Sequence, residues 1–318
     1  MTGHCQHLLN KLEESVARNS CDALLLSGGL DSSILAGILR PRYAVTCSFG
    51  EYSPDTAFAN EIAEMFCAHH VKVIITVEKM LDLVEQVVRI FRTFDPIEIR
   101  NSTVAFAGIE QAKADGCTEI MTGDGGDELF AGYNYLSRYY SDLPKLDSEI
   151  RRLWKVMHFS AQKIGDHLGV SVKTPYLDPE FMEYAKTLPV DAKVGEHEGK
   201  KWGKFILRSC YEPMLGSRIA WRTKLAQEQG AATDRFENYI SERIDDLTFS
   251  NKSAIAKNEG VSLRSKEHLH YYALFRSYFA APKDERCALR CPGCQACMNV
   301  DGRFCRTCGA FPVTPISL

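Results

Sequence analysis

Between residues 23 and 39 an apolar run, Ala23-Leu24-Leu25-Leu26, breaks into Ser27-Gly28-Gly29. A segment with apolar residues at Ile34, Leu35, Ile38 and Leu39 follows at once. That order predicts a short buried strand, a tight loop and a helix start. Glycine at 28 and 29 admits backbone angles that other residues resist and lets a ligand approach the main chain closely. The open N–H groups and positive dipole end of the next helix, with the hydroxyls of Ser27, Ser32 and Ser33, make a phosphate cradle. Asp31 suits such a cradle when a cation stands between it and the phosphate, and magnesium takes one or two carboxylates plus phosphate oxygens. The loop lacks the Gly-Lys-Ser/Thr ending of a Walker A site. An ordinary glycine turn capped by serine is the alternative that the local pattern leaves open.

Strand and helix signals alternate through the first 130 residues. Tyr43–Phe49 reads as a second strand, and Ser53-Pro54-Asp55 as the cap of a helix carrying Phe58, Ile62, Met65 and Phe66. Val71–Val77 is a β-branched run, residues 78–93 and 102–114 read as helices, and Glu119–Met121 as another strand. A short amphipathic helix is expected over residues 4–19. Such alternation implies an α/β fold, a parallel sheet flanked by helices, with ligands at the carboxyl ends of strands. Beyond Tyr133 the β pattern fades. Residues 134–280 read as mostly helical, with breaks at Pro144, Pro175, Pro189 and Pro213 and a polar stretch near 191–201. The expected division is a nucleotide-binding α/β region at 1–140, a helical region completing the site at 141–282, and a cysteine-rich tail at 283–318.

A second glycine-rich loop, Thr122-Gly123-Asp124-Gly125-Gly126-Asp127-Glu128, follows the strand at 119–121. Its glycines bare the backbone, and Asp124 and Asp127 can hold a cation or orient a reacting group. An acidic surface turn is the plain alternative.

Six of the 12 cysteines, Cys5, Cys21, Cys47, Cys67, Cys117 and Cys210, are scattered, as small buried hydrophobes usually are. The others crowd between Cys287 and Cys308. Cys291-Pro-Gly-Cys294 and Cys305-Arg-Thr-Cys308, the latter followed by Gly309, form two knuckles able to present four thiolates to one zinc ion. Cys287 and Cys297 are surplus: bystanders, alternative ligands or redox-active thiols, and an iron–sulfur site is the other metal reading.

The net charge of −3 advertises neither nucleic acid nor a membrane surface, and the tail is only mildly basic. No stretch approaches a bilayer span. Met1 to Asn10 lacks a basic start followed by an apolar core, so no signal peptide and a cytoplasmic location are expected.

The Ser27–Ser33 loop (SGGLDSS) resembles the pyrophosphate loop of the ATP pyrophosphatases, with leucine at its fourth place as in asparagine synthetases. Thr122–Tyr133 (TGDGGDELFAGY) resembles the second signature of that family, and Ser48–Asp55 (SFGEYSPD) its adenine-side loop. Arg100-Asn101-Ser102-Thr103, Val172–Asp178, Lys204–Arg208 and Trp221-Arg222-Thr223-Lys224 resemble further family stretches, in order, over about residues 22–230. The resemblance implies a synthetase fold of the adenine-nucleotide α-hydrolase-like type, with a helical second half. It also implies ATP and Mg2+ as cofactors and an ATP-dependent carboxylate–amine ligase. There a carboxylate attacks the α-phosphorus of ATP, and ammonia or an amine displaces AMP from the acyl-adenylate. It assigns Asp31 and Asp127 to magnesium, and Ser27, Gly28, Gly29, Ser32 and Ser33 to the pyrophosphate. Leu25, Phe49 and Gly123 would line the nucleoside, and Lys224 would neutralise departing phosphate. Arg100 would meet substrate or triphosphate, or form a structural ion pair.

Two departures stand out. Asp124 lies where the family usually has glutamate, one methylene longer. The glutamine-dependent members carry a nucleophilic cysteine directly after Met1, whereas here position 2 is Thr, and no domain is expected before the loop. The expected nitrogen source is therefore ammonia, a substrate amine or a separate glutaminase, and the zinc ribbon could recruit a protein partner. Two other readings accompany this one: a tRNA-modifying relative that adenylates a base, and a non-catalytic nucleotide- or partner-binding module.

Overall fold

The computed structural model describes residues 2–283, 287–300 and 302–317. After an amphipathic first helix, α1 (Thr2–Arg18), strands and helices alternate: β1 (Ala23–Leu25), α2 (Leu30–Leu39), β2 (Tyr43–Phe49), α3 (Thr56–Phe66), β3 (His70–Ile75), α4 (Val77–Phe91), α5 (Pro96–Ala114) and β4 (Glu119–Met121). The sheet runs β3-β2-β1-β4-β5, with β5 at Ser171–Lys173. β1 pairs in parallel with β2 and β4, and β4 with β5. The strand order therefore reverses between β1 and β4, where an open α/β sheet makes its ligand crevice.

Contacts sort the described residues into two units that interleave along the chain. The first comprises Met1–Cys47, Ser53–Val73 and Gly108–Ala231; the second comprises Ser48–Tyr52, Ile74–Ala107 and Ala232–Leu318. In the first, Leu8 and Leu12 of α1, Leu24, Ile34, Leu35 and Met121 are fully buried in one core. The chain continues through the short α6 (Gly126–Leu129), α7 (Leu143–Val156), α8 (Ser160–Leu168), α9 (Pro179–Thr187) and α10 (Val190–Lys193). A hairpin of β6 (Val194–His197) and β7 (Lys200–Gly203) leads into α11 (Phe205–Leu215), α12 (Ser217–Ala220) and α13 (Gln227–Gly230). Cys5 of α1 and Cys210 of α11 form a disulfide, so these two are not the isolated apolar cysteines expected.

In the second unit α4 buries Met80, Leu83, Val84, Val87 and Val88 on one face. α16 (Lys266–Tyr278) packs against α4, and α14 (Phe236–Ser241) and α15 (Asp246–Asn258) pack against α16. The cysteine-rich segment ends the unit with a two-stranded ladder, β8 (Leu289–Arg290) against β9 (Ile316–Ser317).

The second half holds more β structure than the sequence suggests. β5 is a three-residue edge strand with one buried side chain, Val172, too short for alternation to register. The β6–β7 hairpin occupies the polar stretch near 191–201, and Glu198 and Gly199 turn it with φ +50° and +73°. Pro213 does not break the chain but lies inside α11. α5 starts at Pro96, six residues before the expected 102, since a proline fits a helix's first turn. Among the described residues, no helix is long and apolar enough to cross a membrane.

Candidate functional site

The loop after β1 is a compact hydroxyl knot. Ser27 Oγ lies 3.0 Å from Ser32 Oγ and accepts from Gly29 N at 3.2 Å, while Ser32 Oγ accepts from Ser27 N at 3.2 Å. Gly28 stands at φ +72°, and a Cβ there would come within 2.6 Å of Ala59 N, so only glycine fits the turn. Gly29 caps α2 without a side-chain hydrogen bond, so the first-turn N–H groups have no capping side chain, and Ser27 before them is exposed. The Ser33 hydroxyl is buried without a partner.

The loop after β4 closes on the loop after β1. A Cβ on Gly123 would meet Asp31 Cβ and Ser32 N at 3.2 Å, and one on Gly126 would come within 2.5 Å of Asp31 Oδ1. The two glycine-rich loops therefore share one site at the switch point. Gly125, at φ +101°, starts α6, whose first turn carries Asp127.

Asp31 and Asp127 meet around a lysine. Lys204 Nζ reaches Asp31 Oδ2 and lies 2.6 Å from Asp127 Oδ1, and Lys224 Nζ stands 2.9 Å from Asp127 Oδ2. Lys204 caps α11 in the left-handed region at φ +55°, and its N–H donates to Phe130 O at 2.7 Å. The packing needs Gly132, where a Cβ would overlap Asp127 Oδ1 and Lys204 Cε. Burial raises the Asp31 carboxyl and outweighs the pull of Lys204. Burial acts likewise on Asp127, but two ammonium groups overcome it and hold that carboxyl well below the ordinary range. The same two carboxylates outweigh desolvation at Lys204 and keep it charged.

Arg222 ties the cradle to α3, donating to Gly28 O and to Asp55. Arg208, one turn into α11, donates to Gly203 O at 3.0 Å and to Arg222 O at 3.1 Å, fixing the segment that leads to Lys224. The Lys224 ammonium also lies 5.3 Å from the Tyr133 ring centroid, and the Tyr133 hydroxyl donates to Glu128. Burial, with Asp127 alongside, pushes Glu128 up to about 7. Asp124 turns back on its own loop and accepts from Thr122 Oγ1 at 3.1 Å.

Of the residues expected from sequence, Ser27, Gly28, Gly29, Asp31, Ser32, Ser33, Gly123, Asp124, Asp127 and Lys224 gather in the first unit. Leu25 lies there too, against the Gly108 face of α5. Arg100 and Phe49 belong to the second unit. There Phe49 packs edge-on against Phe236, centroids 5.8 Å apart, and Arg100 Nη1 donates to buried Glu267 at 2.6 Å. Lys204, Arg222 and Asp55 were missed. All three sit inside stretches that carried the resemblance, but only their distances reveal the ion pairs.

An all-oxygen donor pair suits a hard cation. Asp31 Oδ1, buried without a hydrogen-bond partner, is an acceptor free to take one. The cysteine cluster suits a different ion. Cys291, Cys294, Cys305 and Cys308 are buried with all four sulfurs within 4.8 Å of one another; Cys291–Cys308 is 3.7 Å and Cys294–Cys305 3.6 Å. Thiolates at ~2.3 Å from a tetrahedral ion are ~3.8 Å apart, so the spacing fits a single ion better than a cluster. Cys287 and Cys297 form a disulfide with each other.

Comparison with known proteins matches the asparagine synthase family model over residues 7–162 and 146–286. An asparagine synthetase [glutamine-hydrolyzing] of Brassica oleracea is 29% identical over 280 residues, 80% of this chain and 47% of that protein. Asparagine synthetase B [glutamine-hydrolyzing] of Escherichia coli (strain K12) is 28% identical over 308 residues, 88% of this chain and 55% of that protein. The chain thus spans about half the length of the curated relatives it matches.

Proposed function

The chain belongs to the asparagine synthase family, and on that premise we propose that it is an ATP-dependent amide ligase that releases AMP and pyrophosphate. The observation that carries this reading is the Asp31–Lys204–Asp127–Lys224 cluster beside a glycine–serine cradle at the strand-order switch. In this reading Ser27, Gly28, Gly29, Ser32 and Ser33 cradle the β- and γ-phosphates through hydroxyls and helix N–H groups. Leu25, Phe49 and Gly123 bound the nucleoside.

Asp31 and Asp127 would hold Mg2+, which when bound neutralises charge on the phosphates. A substrate carboxylate attacks the α-phosphorus and the bond to the bridging pyrophosphate oxygen breaks, giving acyl-adenylate. Lys224, and Lys204 behind it, offset the negative charge that gathers on the departing pyrophosphate. Ammonia or an amine then adds to the acyl carbon and AMP leaves. Asp124 is the proposed acceptor of the nitrogen's proton, and Arg100 acts on substrate or triphosphate only if its pair with Glu267 opens. The four knuckle cysteines hold Zn2+. Residues 1–140, 141–282 and 283–318 are the proposed nucleotide-binding, helical and zinc-ribbon parts.

Aspartate is the first carboxylate to test, by analogy with the relatives. The assay measures pyrophosphate release from ATP and magnesium across amino-acid carboxylates with ammonium present, with glutamine and total tRNA as separate arms. The expected result is release with one small carboxylate, matched mole for mole by amide and AMP. Release only with tRNA would replace the ligase with a base-modifying enzyme, and no release in any arm would leave a binding module.

A further inference from the structure

The thiolate knuckles are not a free appendage of the second unit. Both present backbone carbonyls that are taken up in cis. In the second knuckle, Thr307 O accepts from Phe94 N at 2.8 Å, and Thr93 Oγ1 donates to Arg306 O at 2.7 Å and to Thr307 O at 3.2 Å. Arg264 donates to Cys308 O. In the first knuckle, Gly293 O accepts from Ser262 N at 2.8 Å. The contact is close as well as polar: a Cβ on Gly309 would lie 2.1 Å from Asp95 Oδ1.

The receiving segment, Thr93-Phe94-Asp95, is the corner between α4 and α5. Asp95 Oδ1 accepts from Ile97 N at 3.1 Å in the first turn of α5, and Thr93 Oγ1 accepts from Asp95 N at 3.1 Å. Phe94 is fully buried, with its ring centroid 5.2 Å from His268, 4.9 Å from Tyr272 and 5.2 Å from Phe275, all on α16. The next turn of α5 carries Arg100, whose guanidinium meets Glu267 on the same α16. One short corner therefore joins the knuckles to α16 and to the base of α5.

We propose that the ion held by Cys291, Cys294, Cys305 and Cys308 clamps the α4–α5 corner, fixing the first turns of α5 and the Arg100–Glu267 pair. This rests on the metal reading of the four thiolates and adds what the ion does for the fold. Four buried thiolates need an ion to stay together as anions, and without it the knuckle carbonyls lose the geometry that Thr93, Phe94 and Arg264 require. The clamp is a positioning device; none of its residues need touch a substrate.

The test couples metal analysis to amide hydrogen exchange on the full chain. Elemental analysis should find one zinc per chain. Removing it with a chelator should speed exchange over residues 93–104 about tenfold or more, leave α3 of the first unit unchanged, and reverse on adding zinc. Thr93→Val touches no thiolate, so it should retain the zinc yet loosen the same segment by about threefold, since it deletes one donor out of several. Absence of a stoichiometric metal would overturn the metal reading and the clamp with it. Zinc present, but with residues 93–104 exchanging alike before and after chelation and in Thr93→Val, would overturn the clamp alone.

Discussion

Each unit of the molecule buries acids against bases, and the two do it differently. In the second unit Glu267 is spent: Arg100 donates to one oxygen at 2.6 Å, Tyr271 to the other at 2.8 Å, and its side chain is 1% exposed. In the first unit two acids and two lysines crowd together, yet Asp31 Oδ1 has no hydrogen-bond partner, and the Asp31, Asp127 and Lys224 side chains stay 16–24% exposed. A closed pair joins helices. A cluster with a spare acceptor, some access to water and glycine loops around it is equipped to take a ligand. The difference separates a fastening from a site where composition alone would not.

The strongest way to break that contrast is to neutralise either acid of the first unit's cluster. Asp127→Asn, or Asp31→Asn, should lower ATP-dependent pyrophosphate release by about a thousandfold or more, with circular dichroism unchanged. Near-normal turnover in either would sink the magnesium assignment. Lys224→Met should cost about a hundredfold in kcat, with a smaller change in the KM for ATP; a loss confined to KM would make it a binding residue only.

Both glycine loops were legible because their chemistry is local: a strand, small residues, then a helix start, each within a dozen positions. The acids within them were legible for the same reason. Lys204 was not, since what matters about it is reach across more than 170 residues to Asp31, and no periodicity encodes that. β5 and the β6–β7 hairpin were hidden because a three-residue edge strand and a polar two-stranded ribbon carry too little alternation. The knuckle spacing announced four thiolates. The carbonyls that dock them on Thr93 and Phe94 are main-chain atoms, which sequence cannot distinguish. Arg100 stood in a family-like stretch, and only the coordinates supply Glu267 as its partner.

Arg100 offers the next test, read in stability rather than rate. Arg100→Met leaves Glu267 buried without its cation and should destabilise the second unit by about 3–5 kcal/mol in urea titration. Adding Glu267→Gln should recover most of that loss, because a neutral amide needs no counter-charge. In the first unit the matching repair, Lys204→Met with Asp31→Asn, should recover stability without restoring pyrophosphate release. Recovery of turnover there would make the cluster a fastening like the other.

The smallest effect is one of pH, at two neighbours on α16. Burial, helped by Arg264, pushes His268 from 6.5 down to about 3, while burial pushes Glu267 from 4.5 up to about 7 despite Arg100. Between pH 3 and 6.5 the unfolded chain binds a proton at His268 that the folded chain refuses, so this residue's contribution to stability rises with pH across that window. Between pH 4.5 and 7 the folded chain keeps a proton at Glu267 that the unfolded chain has lost, so that contribution falls as pH rises. Each slope is at most about 1.4 kcal/mol per pH unit, and from 4.5 to 6.5 they oppose each other. Each single variant should therefore uncover its neighbour. Taken from pH 7 to pH 5, His268→Asn, which keeps an acceptor for Arg264 N, should gain stability relative to the unaltered chain. Glu267→Gln should lose it. Urea midpoints that move the same way in both variants would show that α16 does not exclude solvent from this pair as its packing implies.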